Sequence, residues 1–278
     1  MAVNQHWIPQ SLLRRFAVPG GRTNRVYRID VRTGETIGPT GVRNFSAGRY
    51  YNRVALGTDP HALEEAFGRF ESLMSAALDK VEASDALPSS DELGHIVGAM
   101  VVQSIRTPLH EHLALDSIRE LREQSRSGIS DTGDDAEATL AWAHRMSFIN
   151  PTREALAARP WTLMVAPEQG PHLICPDPPP YLLYRDELAV GSISSPDAAR
   201  SDVVIVLPVT RRHMLVSNMR LSTGLAVMDA EEVAFYNMMA FYWAREYVYS
   251  DTANPKMADW GMVIADRSGI HVPRRNPG

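Results

Sequence analysis

Helical periodicity dominates the middle of the sequence. After an N-cap acid, Asp59, and a proline, residues 63–81 repeat apolar side chains at every third or fourth position, which predicts an amphipathic helix. Ser89 and Glu92 form a capping box in front of a second apolar helix around Gly98–His112. Thr107-Pro108 either kinks this helix or caps a new one that continues to about Gln124. Because the apolar positions of this second helix also recur at helical spacing, we expect it to cross the core.

Alternation of apolar and polar residues predicts strands on both sides of this helical region. Val26–Val31 shows the alternation near the N-terminus. Trp161–Val165 and His172–Cys175 flank a turn, as the two strands of a β-hairpin would. Val203–Val209 and His213–Ser217 continue the pattern as an antiparallel meander. The sequence shows neither βαβ alternation nor a glycine-rich phosphate loop, which argues against a Rossmann or P-loop domain.

A capping box at Asp229 and Glu232 opens the last helix, which is predicted to run to about Tyr249 with Asn237 in the middle of its apolar face. The combined pattern predicts an α+β fold, with helices packed on an antiparallel sheet in a single domain. Along the chain, that domain consists of a basic N-terminal strand and loop part (1–58), a helical part (59–160), antiparallel strands with the closing helix (161–250) and a tail (251–278).

The composition is that of an ordinary globular protein. Of the 278 residues, 44% are hydrophobic and only Cys175 is a cysteine, so the chain can bury a core but cannot form an internal disulfide or a multi-cysteine zinc site. The N-terminus lacks the basic start and apolar segment of a signal peptide, and no run approaches the roughly 18 apolar residues of a membrane helix. We therefore expect a cytoplasmic protein without a membrane partner.

Charge is distributed unevenly along the chain. The net charge of -5 gives no general attraction to nucleic acid. Residues 1–60 hold nine arginines against Asp30, Glu35 and Asp59, which amounts to +6, so the remainder carries -11. The N-terminal part can be a face for an anionic ligand or a basic subdomain that docks on an acidic one.

Several polar residues from distant segments fall within or beside the predicted apolar faces, and we expect them to converge on one pocket. These residues are His6, Gln10, Glu64, Glu71, Gln103, Arg106, Asp177 and Asn237. The pattern predicts a hydrolase of phosphodiester or nucleotide substrates, with a role as a toxin or in defence against foreign DNA. The catalytic residues would be His6, Glu71, Arg106 and Asp177, the substrate-binding residues Gln10, Gln103 and Asn237, and the ligands of a divalent Mg²⁺ or Mn²⁺ ion Glu64, Glu71 and Asp177.

Each role follows from the chemistry of the side chain. A histidine exchanges protons near neutral pH, so His6 suits a general base or acid. An arginine neutralises the charge of an anionic transition state, as Arg106 would at a phosphoryl group. Carboxylate oxygens are the ligands that small divalent cations prefer. No organic cofactor is indicated.

The same residues also allow a structural interpretation. In it, Arg106 pairs with Glu71 or Glu64, Asn237 bridges backbone groups and His6 caps a helix, so that a buried polar network pins the chain together. The protein would then be a non-catalytic module that binds an anionic small ligand or a protein partner. A nucleophilic role for Cys175 would require His6 or His172 to fold against it.

Four motifs, taken in order, resemble the uncharacterised domain-of-unknown-function family 4238. They are His6-x-x-Pro9-Gln10, the carboxylate helix around Leu63-Glu64-Glu65 and Glu71, Gln103-x-x-Arg106-Thr107-Pro108, and the closing helix with Asn237 and Tyr247-Val248-Tyr249-Ser250. The family also resembles this chain in a Ser-Asp-x-Pro strand end, where Pro176 stands in place of the serine before Asp177. The resemblance implies no particular reaction.

Overall fold

A computed structural model provides the structure. It describes residues 4–6, 8–19, 24–45, 47–49, 62–106, 114–120, 123, 134–184, 199–220 and 222–258.

The described strands form three sheets. The strands are β1 (Asn4–His6), β2 (Arg25–Asp30), β3 (Thr36–Gly41), β4 (Ala47–Arg49), β5 (Thr162–Val165), β6 (Cys175–Pro176), β7 (Tyr181–Tyr184), β8 (Val203–Pro208), β9 (His213–Ser217), β10 (Gly224–Val227) and β11 (Tyr247–Ser250). A two-stranded sheet pairs β1 with β4, a four-stranded sheet has the order β3-β2-β11-β6, and a five-stranded sheet has the order β10-β5-β9-β8-β7.

Helices pack beside these sheets, which confirms the predicted α+β class. They are α1 (Gln10–Leu13), which continues into a 3-10 turn (Arg14–Phe16), α2 (Ala62–Ser84), α3 (Ser90–Ile105), a helical segment at residues 114–120 (α4), α5 (Asp134–Ser147), α6 (Ile149–Ala157) and α7 (Ala230–Trp243). The capping boxes predicted at Ser89 and Asp229 are both present. The helix α3 packs on α2 and α6, and all of its residues from 96 to 105 are buried.

The prediction for the end of the last helix was wrong. The helix α7 ends at Trp243, because Ala244 adopts an extended backbone with φ -59° and ψ 139°. The following Tyr-Val-Tyr run, rich in residues that favour strands, forms β11 between β2 and β6. Pairing with β2 and β6 thus makes this segment a strand, although the spacing of its apolar residues predicts a helix.

The predicted hairpin at residues 161–175 was also wrong. The strand β5 pairs antiparallel with β9 and parallel with β10, so the five-stranded sheet is mixed. The strand β6 instead joins β11 in the other sheet. Between them, Ala166 N–H donates to Arg212 O and Leu173 N–H to Arg211 O. The segment therefore passes from one sheet to the other beside the turn that precedes β9, and this crossing brings several polar side chains together.

Candidate functional site

The end of α3 carries one cluster of predicted site residues. Arg106 Nη1 donates to Glu71 Oε1 of α2 at 2.6 Å, and its guanidinium carbon lies 4.8 Å from the centroid of the Phe67 ring. The side chain of Arg106 is only 2% exposed, whereas that of Glu71 is 29% exposed. The ion pair of Arg106 with Glu71 therefore connects the core to the surface.

A second buried arginine, Arg145, contacts the same helix end. Arg145 of α5 donates from Nη1 to the Ile105 carbonyl at 3.1 Å and covers the Trp142 ring at 3.7 Å. The Trp142 ring is 6.0 Å from that of Phe67. The two guanidiniums and two aromatic rings therefore form one continuous group around the last turn of α3, which sequence reasoning did not include.

Gln103 lies in the same turn and is 1% exposed. Neither its Oε1 nor its Nε2 atom has a hydrogen-bond partner within the described chain. A buried polar group left without a partner costs about 1 to 3 kcal/mol. The carboxamide of Gln103 is thus a buried group with unused hydrogen-bonding capacity, three residues before Arg106 along the chain.

Asp177 lies elsewhere, at the corner where β6 meets β11. Its Oδ1 accepts hydrogen bonds from the backbone N–H groups of Arg245 at 2.9 Å and Glu246 at 3.1 Å. Burial raises the pKa of Asp177 to about 7, although the backbone N–H groups oppose that rise and Glu246 adds to it. Asp177 is thus hydrogen-bonded although Pro176 stands in place of the serine. Its bonds connect the end of β6 to the residues that precede β11.

Asn237 uses its whole carboxamide on the backbone. Its Oδ1 accepts from Ile174 N–H at 3.0 Å, and its Nδ2 donates to the carbonyls of His172 at 2.8 Å and Lys256 at 3.0 Å. This bridging is what the structural interpretation expects. Asn237 thereby fixes the segment before β6 against the segment that follows β11.

The two segments that Asn237 joins bring a histidine and an aspartate together. His172 Nδ1 lies 2.5 Å from Asp251 Oδ2, and Arg211 Nη1 lies 3.9 Å from the same oxygen. The side chain of Asp251 is 5% exposed, while those of His172 and Arg211 are 24% and 32% exposed. A buried carboxylate thus orients a histidine that solvent can reach, next to an arginine.

The second nitrogen of His172 is open. Because Nδ1–H donates to the carboxylate, the lone pair of the neutral imidazole lies on Nε2, for which no hydrogen bond is present among the described residues. Asp251 Oδ1 is buried, again with no partner in the described chain. Cys175, the nucleophile considered with His172, is fully buried, and burial raises the pKa of its thiol well above the usual value. The available chemistry at this cluster is proton transfer by the imidazole.

A different histidine-aspartate pair lies in the turn before β9. Thr210 Oγ1 accepts from the backbone N–H groups of Arg212 and His213, so its own proton donates to His213 Nδ1 at 2.8 Å. The Nε2–H group then donates to Asp85 Oδ1 at 2.7 Å. Burial lowers the pKa of His213 despite the opposing effect of Asp85. Both nitrogens of His213 are used within the protein.

A family model described as "Protein of unknown function (DUF4238)" matches residues 4–254. The chain belongs to this family. No curated protein and no solved structure matches the chain.

The motifs that resemble the DUF4238 family divide between two places in the fold. Glu71, Gln103 and Arg106 come together at the end of α3, whereas Asp177 and Asn237 serve the β6–β11 corner. Gln10, in α1, accepts a hydrogen bond from Arg14 Nη2 at 3.3 Å. The side chains of two further predicted residues, His6 in β1 and Glu64 in α2, lie outside the described residues.

The three proposed metal ligands do not form a described site. The side chain of Glu64 is not described, Glu71 bonds Arg106, and Asp177 bonds backbone N–H groups. Among the residues that the structure covers, no three His, Cys, Asp or Glu side chains form a group that could hold a metal ion. The described helices also include none that is long and apolar enough to cross a membrane.

The pair formed by His172 and Asp251 escaped the sequence analysis because it depends on strand pairing. In the β6–β11 ladder, Cys175 is opposite Tyr249 and the strands run antiparallel. Following the register beyond the ladder brings the residues after β11 back beside those before β6. The Tyr-Val-Tyr-Ser run itself carries a sequence signal for this strand, because aromatic and β-branched residues favour strands.

Proposed function

We propose that this member of the DUF4238 family is a hydrolase of phosphodiester or nucleotide substrates, with His172 as its general base. The observation that carries the proposal is the His172–Asp251 pair, in which a buried carboxylate orients an imidazole whose Nε2 is open. Enzymes that activate water or a hydroxyl group commonly use a histidine base that a carboxylate holds in position.

The proposed reaction needs few groups. His172 Nε2 takes a proton from water, the oxygen attacks phosphorus, and one P–O ester bond breaks. The imidazolium then returns the proton to the departing oxygen, so that the products are a phosphate monoester and an alcohol. Asp251 stabilises the imidazolium, and Arg211 faces the negative charge of the phosphoryl group.

The proposal differs from the sequence-based hypothesis in the residue that acts as base. His172 takes the place of His6, because its orienting partner and its exposure are both defined. The roles of His6 and of Mg²⁺ or Mn²⁺ remain separate arms of the test. The metal arm does not rely on a Glu64–Glu71–Asp177 site, because Glu71 and Asp177 lie in different places in the fold. Within the basic N-terminal part, Arg15 is already paired with Asp79 and Glu82 of α2, so the approach of an anionic substrate would depend on other arginines.

The test is an assay of the purified full chain on labelled RNA, labelled DNA, a nucleotide panel and bis-p-nitrophenyl phosphate, each with Mg²⁺, Mn²⁺ or a chelator. His172→Asn keeps a donor for Asp251 but removes the base, so turnover should fall about 10² to 10⁴-fold. His95→Asn, a histidine of α3 outside the pair, is the matched control and should retain activity. Asp251→Asn should lower turnover less than His172→Asn, because it removes the orienting charge and not the base.

Two results would contradict the proposal. Full activity of a folded His172→Asn protein would remove His172 from the reaction, and loss in His6→Asn instead would restore the sequence-based assignment. The absence of turnover by the wild type on every substrate would reject the hydrolase and favour the binding module. Cleavage of RNA or DNA, in preference to free nucleotides, is the outcome that would suit a toxin or a defence protein.

A further inference from the structure

The carboxamide of Gln103 is a buried polar group that the proposed hydrolysis leaves unexplained. It is 1% exposed, and both of its polar atoms are without a partner in the described chain. Native proteins satisfy nearly all buried polar groups, so each exception calls for a ligand, a water molecule or a functional role. The side chain of Gln103 offers one acceptor, Oε1, and two N–H donors on Nε2.

The surroundings of Gln103 indicate which ligand would complete these bonds. Arg106 directly follows α3, three residues after Gln103, and its guanidinium contacts the Phe67 ring and Glu71. Arg145 contributes the second buried guanidinium, fixed to the last carbonyl of α3. A guanidinium binds oxyanions and has no acceptor of its own. A ligand that suits this group therefore carries negatively charged oxygens and, for Gln103 Oε1, a hydrogen-bond donor.

A protonated phosphate group has both features in one small tetrahedron. Its charged oxygens accept from Arg106 and from Gln103 Nε2–H, and its P–OH donates to Gln103 Oε1. We propose that the end of α3 is a binding site for inorganic phosphate or for a phosphate monoester in its protonated form, distinct from the His172–Asp251 pair. Sulfate has the same shape and charged oxygens but carries no proton at neutral pH, so it cannot satisfy Oε1.

Glu71 adds a prediction that a purely structural network would not make. Its carboxylate bonds Arg106 at 2.6 Å and is the partly exposed member of the cluster. An arriving phosphate competes with this carboxylate for the guanidinium and is repelled by its charge. Removal of the charge by Glu71→Gln should therefore tighten phosphate binding, even though it weakens an ion pair of the protein.

The binding site stands independently of the proposed hydrolysis. A role for the site in that reaction rests on the proposed function. Phosphodiester cleavage yields a phosphate monoester, so the α3 site would bind the product of the enzyme. The two inferences fail separately. His172→Asn should lower turnover about 10² to 10⁴-fold and leave phosphate affinity unchanged. Gln103→Leu should lower phosphate affinity whether or not any substrate is cleaved.

The experiment is isothermal titration calorimetry of the full chain with inorganic phosphate, adenosine 5′-monophosphate and sulfate at pH 6, where about half of the monoester carries the required proton. We expect phosphate to bind more tightly than sulfate, and the monoester arm distinguishes a free-phosphate site from a monoester site. Gln103→Leu should weaken phosphate binding at least about tenfold, the loss expected for hydrogen bonds to a charged ligand, and should remove the preference over sulfate. Glu71→Gln should strengthen binding severalfold.

The Gln103→Leu variant carries its own folding control. Because it replaces an unbonded buried amide by an apolar side chain of similar size, its melting temperature should equal or exceed that of the wild type, and Gln103→Met is the substitute if leucine does not fit. No binding of phosphate or monoester to the wild type would overturn the proposal. Equal phosphate affinity in wild type and Gln103→Leu would do the same, and would assign the carboxamide to water alone.

Discussion

Two histidine-aspartate pairs lie in neighbouring parts of this fold and differ in what they leave available. His213 uses Nδ1 on Thr210 and Nε2 on Asp85, and its side chain is 2% exposed. His172 uses Nδ1 on Asp251 and leaves Nε2 open on a side chain that is 24% exposed. The pairs contain the same residue types at similar distances, so the presence of an aspartate beside a histidine does not identify a reactive group. The two pairs differ in that only His172 has a ring nitrogen without a bond to the described protein, and this nitrogen can exchange a proton with solvent or substrate.

The same distinction separates the two carboxamides in the core. Asn237 bonds three backbone groups, whereas Gln103 bonds none among the described residues. Buried polar groups that are completely bonded stabilise one conformation, and those with unused bonds lower stability unless a ligand completes them. We therefore expect His213 and Asn237 to matter for stability, and His172 and Gln103 for binding or turnover.

The largest effect should come from Asn237→Ala. Loss of the carboxamide leaves Ile174 N–H and the carbonyls of His172 and Lys256 without their partner, at a cost of about 3 to 4 kcal/mol in the free energy of unfolding. Urea denaturation followed by circular dichroism measures this change. A loss below about 1 kcal/mol would show that water replaces the carboxamide.

A smaller loss should separate the two histidines. His213→Ala leaves Thr210 and Asp85 without their buried partner and should cost about 2 to 3 kcal/mol. His172→Asn keeps a donor for Asp251 at a partly exposed position, so it should change stability by less than about 1 kcal/mol. Comparable losses in the two variants, measured by the same urea titration, would contradict the division between structural and reactive histidines.

How far the sequence predicts these features depends on the range of the interactions involved. The capping boxes at Ser89 and Asp229 are local and were correctly predicted. The Arg106–Glu71 pair was foreseen as one option, because both residues lie on predicted helix faces. The His172–Asp251 pair was not, since it requires β11 to lie beside β6, and helical spacing up to Tyr249 concealed that strand.

Asp177 extends the comparison of bonded and unbonded buried groups to a carboxyl group that is well bonded but can ionise. Its pKa is raised to about 7, so the folded protein retains a proton that the unfolded chain releases near pH 4. This group therefore lowers stability as pH rises from about 4 to 7. Asp177→Asn keeps an oxygen acceptor for Arg245 and Glu246 without the charge. It should raise the free energy of unfolding at pH 8 by at least about 1 kcal/mol and have little effect at pH 4. If Asp177→Asn changed the free energy of unfolding equally at pH 4 and pH 8, Asp177 would ionise in the folded protein without a cost in stability.

The smallest effect is also the most direct view of the two histidines, because it concerns the position of one proton. The bonds of His213 require the Nε2–H tautomer, and those of His172 require Nδ1–H. Two-bond ¹H–¹⁵N correlation spectra at pH 7.5, assigned with His213→Ala and His172→Asn, distinguish these tautomers by their nitrogen shifts. The lowered pKa of His213 means that below about pH 6.5 the unfolded chain binds a proton that the folded protein refuses, so stability declines as pH falls. If both imidazoles showed the Nε2–H form, Asp251 would receive no proton from His172 at this pH, and the orientation on which the proposed general base depends would be absent.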